Sequence, residues 1–134
     1  MTIRYKRPDT KNALSLVNAA KEEIDFALSM DMNEKSGATI IRTIYESFRM
    51  LGDALLVKQG IASSDHLECI NALIKLNVKT ERPTGILDNI RTLRHNINYY
   101  GYRPKLEEVK EVVSITKSLF HPIYNAVLKE LGQK

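Results

Sequence analysis

Tryptophan is absent from this chain of 134 residues, cysteine occurs once, proline four times and glycine six times. The lone Cys69 can close no internal disulfide and anchor no metal cluster. It stands between Glu68 and Ile70 in a helical pattern and reads as a half-buried, inert thiol. There is no internal repeat, no low-complexity tract and no linker long enough to divide domains. No stretch approaches the ~20 uninterrupted apolar residues of a membrane span. The N-terminal MTIRYKRPDT lacks an apolar signal core, so a cytoplasmic address is the simplest and no membrane partner is expected. Neither GxxxxGK nor GxGxxG occurs, which excludes nucleotide binding by a glycine-rich loop; a phosphate could still meet a helix N-terminus or an Arg pair. The histidines, His66, His95 and His121, are far apart and none has a second ligand at i+4. With no HExxH and no paired Cys, neither a metal nor a cofactor is expected. Ser63, Ser64, Asp65 and His66 adjoin one another, but the run reads better as a helix start than as part of a hydrolase triad.

What is present fits one globular domain over residues 1–134, with residues 1–9 as a basic, solvated tail. A chain of this size buries roughly two-thirds of the surface its unfolded form exposes, enough for one core. The net charge of +4 permits anionic partners without demanding them. The basic residues are spread, with local groups at Arg4, Lys6 and Arg7 and at Arg91, Arg94, Arg103 and Lys105.

Apolar spacing predicts five helices. The first covers about 11–30, capped by Asp9 or Thr10, with Leu14, Val17, Ala20, Ile24, Ala27 and Leu28 inward. The second covers about 35–59, with Ile41, Ile44, Tyr45, Phe48, Leu51, Leu55 and Leu56 inward and Gly60 as its stop. Gly52 inside it costs about 1 kcal/mol relative to Ala, which close approach of a neighbouring helix would offset. The third covers about 64–76 and buries Leu67, Ile70, Leu73 and Ile74. The fourth covers about 84–100, with a stripe of Ile86, Ile90, Leu93, Ile97 and Tyr100, and ends at Gly101. The fifth covers about 105–131 and carries Pro122, a site for a kink. No stretch alternates convincingly as a strand. Short links between long amphipathic helices predict an all-α, up-and-down antiparallel bundle.

The fourth helix carries the most chemistry. Arg91, Arg94, His95 and Asn98 form one continuous patch beside the apolar stripe. A charge at the edge of a core, such as Arg94, needs a partner or a water-filled cleft. Tyr99, Tyr100 and Tyr102 follow, with Arg103 beyond. Arg could hold a phosphate, His could move protons near neutral pH, and the tyrosines could stack on bases. The alternative is a solvated polar face whose tyrosines pack at the end of a bundle. On the second helix Glu46, Arg49 and Asp53 have helical spacing. They are surface ion pairs, or acidic groups that orient Arg94 if the two helices pack together.

The string LRHNINYYGY, with IYESFRMLGDALLVKQG and SSDHLECI before it, resembles the HEPN superfamily (higher eukaryotes and prokaryotes nucleotide-binding) over about residues 39–130. The resemblance implies a small helical bundle, often a homodimer in which two copies of the fourth helix line a shared cleft. Members with the intact motif act as metal-independent RNases. Others bind nucleotides or pair with a small nucleotidyltransferase in toxin–antitoxin modules. Arg94 matches the motif arginine and His95 the polar residue after it, but Tyr99 stands where the catalytic histidine is usual. A phenol with pKa near 10 is a poor general base at neutral pH. His95, one residue after Arg94, points about 100° around the helix. The resemblance thus implies RNA or nucleotide binding more directly than cleavage. It leaves open a non-catalytic dimerisation or interaction module.

Overall fold

The computed structural model describes residues 3–5, 7–63 and 66–132, with side chains over 7–61 and 67–132. The side chains of Arg4, Lys6, Ser63, Ser64, Asp65 and His66, considered above, lie outside the described residues.

Five helices form: α1 (Thr10–Ser29), α2 (Gly37–Lys58), α3 (His66–Ile74), α4 (Leu87–Tyr100) and α5 (Leu106–Glu130). A 3₁₀ turn, Thr84–Ile86, leads into α4. The architecture is an all-α bundle, as the spacing predicts. Local chemistry sets the boundaries. The Asp9 carboxylate accepts from the Asn12 amide at 2.9 Å and starts α1. Gly101, at φ +65°, takes the left-handed turn that ends α4 and turns the chain toward α5. At the start of α5, the Glu108 carboxylate accepts from the Lys105 amide at 2.9 Å. α5 continues through Pro122.

One expectation is corrected. Residues 1–9 are not wholly a tail, because β1 (Ile3–Tyr5) pairs antiparallel with β2 (Ile61–Ser63), Arg4 opposite Ala62. A three-residue ribbon is too short for alternation to signal it in the sequence.

α2 is the central element and packs against all four other helices. Its contact with α1 is a seam of Ala13, Val17, Ala20, Ile24 and Ala27, spaced alternately by four and three, all buried. The three alanines admit close approach, and the buried Ser47 hydroxyl donates across the seam to the Ala20 carbonyl at 2.7 Å. α4 runs antiparallel to α2, since Arg42 meets Asn98 while Tyr45 meets Arg94. α5 runs parallel to α2. Lys58 reaches the Glu130 carbonyl 72 residues on, Phe48 meets Phe120, and Gly37 faces Val109. The four long helices therefore alternate in direction along the chain, and α3 lies across α2 within the connection to α4.

That crossing depends on Gly52. A Cβ there would stand 2.0 Å from the Cys69 carbonyl oxygen and 2.6 Å from its carbon. The backbones of α2 and α3 touch where a side chain would part them, so the expected close approach is found. The expected apolar stripes are largely buried. Leu28, Leu67 and above all Tyr100, which is 76% exposed, are exceptions. Tyr100 occupies the last turn before the chain reverses at Gly101, and among the described residues no element packs over that ring.

Because backbone rather than a flexible side chain fills the space at position 52, Gly52→Ala should destabilise the fold by about 3 kcal/mol, at the upper end of overpacking costs. Denaturant unfolding would check this. An unchanged midpoint would show that α3 can lift from α2 at no cost.

Candidate functional site

α2 is buried over most of its circumference and reaches water along one strip, which carries Arg42, Glu46, Arg49 and Asp53. The spacing of four, three and four keeps these residues on one line of the helix. α4 lies antiparallel beside that strip. Between α1, α2 and α4 is a cleft of about 270 Å³ lined by Glu23, Arg42, Thr43, Glu46, Arg94 and Asn98.

Arg94 is half-buried, and its guanidinium carbon sits 5.2 Å from the centre of the buried Tyr45 ring. A cation over a phenol face is attracted by the ring quadrupole. Contact with an aromatic face leaves the N–H edge of a guanidinium able to donate elsewhere. Arg42 Nε donates to Asn98 Oδ1 at 2.7 Å and bridges α2 to α4 across the cleft. Among the described residues neither Arg42 nor Arg94 forms an ion pair.

The acidic residues of the strip are engaged by Arg49. Its Nε donates to the two Glu46 carboxylate oxygens at 3.1 and 3.0 Å, and its Nη2 bonds Glu46 as well. Asp53 lies 3.9 Å from its Nη1. The hydrogen bonds to Glu46 hold Arg49 still more firmly protonated. Glu46 therefore lines the Arg94 cleft with its charge offset by Arg49, and Asp53 stands further along the strip. Cys69 packs behind this group, and burial pushes its thiol from 9.0 up to about 11. The thiol expected to be half-buried is thus buried.

The remaining expected residues divide among three places. Arg91 Nε donates to Asp88 at 2.8 Å, one turn back on its own helix. His95, Tyr99 and Tyr100 are exposed on the outer face of α4 and cluster there. The His95 ring is 4.6 Å from that of Tyr99 and 5.8 Å from that of Tyr100. Tyr99 is 68% exposed. The Tyr102 hydroxyl donates to the Glu108 carboxylate, which raises its pKa, and Arg103 is exposed. Arg94, Asn98 and Glu46 are thus gathered in one cleft. His95 and Tyr99 stand outside its lining, on the rim and outer face of the same helix.

Arg42 and Glu23 line the cleft but were not anticipated. The signal for Arg42 was its position four residues before Glu46 on the same helical line, once α2 and α4 are paired antiparallel. Glu23 needed the three-dimensional approach of α1.

No family model matches the chain, and neither a curated protein nor a solved structure matches it. Among the described residues no helix is long and apolar enough to cross a membrane, and no group of His, Cys, Asp or Glu could hold a metal ion.

Burial also pushes the Tyr45 hydroxyl from 10.0 up to about 12, against the pull of Arg94. The fold keeps this proton and that of Cys69 longer than the unfolded chain does, so the stability these two groups contribute is fully present below about pH 9 and is lost as pH rises through 11 and 12. Chemical denaturation across this range should show a shallower loss between pH 10 and 12 for Tyr45→Phe than for the parent. Equal slopes would remove Tyr45 from the account.

Proposed function

We propose that this chain is a HEPN-like helical-bundle protein that binds RNA or a nucleotide through the α4 patch. The observation that carries the reading is a pair of guanidiniums, Arg42 and Arg94, facing one cleft with no ion pair among the described residues. A cation kept without a carboxylate partner at a part-buried site is poised for an external anion, and a guanidinium suits phosphate because it donates in a planar fork. Asn98 and Thr43 add polar groups to the same walls. The exposed rings of His95, Tyr99 and Tyr100 stand beside the cleft, where unpaired bases could stack at about 1–3 kcal/mol each.

The reading is one of binding before cleavage. An RNase needs a base within reach of the proton it removes. The cleft around Arg94 offers the Glu46 carboxylate, held by Arg49, the Glu23 carboxylate from α1 and the Asn98 amide, while the histidine beside Arg94, His95, is exposed outside the lining. Residual metal-independent cleavage of the toxin–antitoxin kind would have to draw on His95 or Tyr99.

A second reading is favoured by the outer face of α4. Its exposed aromatic cluster suits a protein interface, since Tyr and other aromatics are enriched at such sites. In that reading the chain is a dimerisation or interaction module, either forming a homodimer along α4 or capping a partner such as a small nucleotidyltransferase.

Titration against labelled single-stranded RNA at two salt concentrations separates the two. Arg94→Ala and Arg42→Ala should each weaken binding roughly tenfold or more and flatten its salt dependence by about one phosphate contact. Absence of binding at low salt, or binding indifferent to both substitutions, would reject the first reading. Sedimentation of a Tyr99→Ala/Tyr100→Ala chain addresses the second, because an interface on that face predicts a shift toward monomer.

A further inference from the structure

A second polar cavity lies on the far flank of the bundle, between the 77–83 connection and the solvent face of α5. It measures about 810 Å³ and shares no residue with the α4 cleft. We infer that this groove binds a polyphosphate-bearing small molecule, independently of the Arg94 site.

The groove is held in shape by one long-range residue. Arg82 Nη1 donates to Glu111 at 2.7 Å and Nη2 donates to the Ser114 hydroxyl oxygen at 3.0 Å, which clamps the connection onto α5. The Thr80 hydroxyl donates to the Arg82 carbonyl within the connection. Asn77, at φ +53°, turns the chain into it. These bonds place Lys79 on one wall and Lys117 on the other. Among the described residues neither lysine forms an ion pair. Glu111 offsets Arg82, and Glu81 stands against the two lysines, so the groove keeps a net positive charge.

Two ammonium groups lining one groove attract an anion that can meet both. Ser114 accepts from Arg82, so its own proton is left to donate into the groove. The volume is that of a small-molecule site rather than of a single ion, and a chain of phosphates can meet both walls at once. Pro122 adds an apolar surface to the lining.

The test is calorimetric titration of the full chain with inorganic tripolyphosphate and, separately, with a nucleoside triphosphate, at low salt. All proteins carry Arg42→Ala/Arg94→Ala, which removes both guanidiniums of the α4 cleft, so failure of the RNA reading leaves this result unaffected. Lys79→Ala/Lys117→Ala should weaken binding roughly tenfold or more, whereas Lys79→Arg/Lys117→Arg should retain it. Lys11→Ala/Lys35→Ala, which removes the same charge from exposed positions elsewhere, should leave it unchanged. Equal affinity in the two arms assigns recognition to the phosphates alone, and a tighter nucleoside triphosphate adds contacts to its nucleoside; either supports the inference. It is overturned by no binding in either arm, by equal weakening in the Lys11/Lys35 control, or by indifference to the Lys79/Lys117 change.

Discussion

A helix enclosed on most of its circumference has one place to put its charges. α2 gives its apolar and small residues to four neighbouring helices, and its single wet strip must hold Arg42, Glu46, Arg49 and Asp53. The rest of the candidate site follows from that restriction. α4 can lie against α2 only along the edge of the strip, and Arg94 arrives there over the face of Tyr45. The phenol ring belongs to the core while the guanidinium belongs to the cleft, so one contact joins the stability of the bundle to the chemistry of its surface.

Within the strip, charge is sorted rather than merely paired. Arg49 takes Glu46 through a fork and has Asp53 near, which consumes the acidity of α2 locally. Exposed pairs of this kind contribute less than about 1 kcal/mol. Their larger effect is on what remains: Arg42 and Arg94 face the cleft without having their charge taken by the strip. Close packing elsewhere supports the same arrangement. Gly52 lets α3 rest directly on α2, and the alanine seam does so for α1, so these two helices cover other faces of α2 and leave the strip as its wet side.

The helices were legible because their signals are periodic and redundant. Ile41, Ile44, Phe48, Leu51 and Leu55 announce one buried face many times over, and Asp9, Gly60 and Gly101 mark ends by their own conformational chemistry. Gly52 was legible for the opposite reason, as a residue whose cost in a helix demands compensation. The ribbon of Ile3–Tyr5 with Ile61–Ser63 was not, since three residues carry no period and their partner lies far along the chain. Tyr100 misled because helical spacing describes a face and not whether a neighbour reaches it. At the site, Arg94 could be picked from its place beside Leu93, whereas Arg42 and Glu23 become site residues only when three helices converge. Glu46 and Asp53 were expected as possible partners of Arg94, yet Arg49, on their own helix and one turn away, claims them first.

The parallel alignment of α2 and α5 carries a consequence for the order of assembly. Lys58 and Glu130 are 72 residues apart, as are Phe48 and Phe120, so this half of the core closes a long loop. The entropy of closure grows only slowly with length, but it must be met before the contact returns anything. The α1–α2 hairpin needs no such closure and can zip along its alanine seam as soon as both helices exist. On a ribosome, α2 would then wait with Phe48 uncovered until α5, the fifth helix along the chain, had emerged. The interval between those two events is when this chain is most exposed to aggregation.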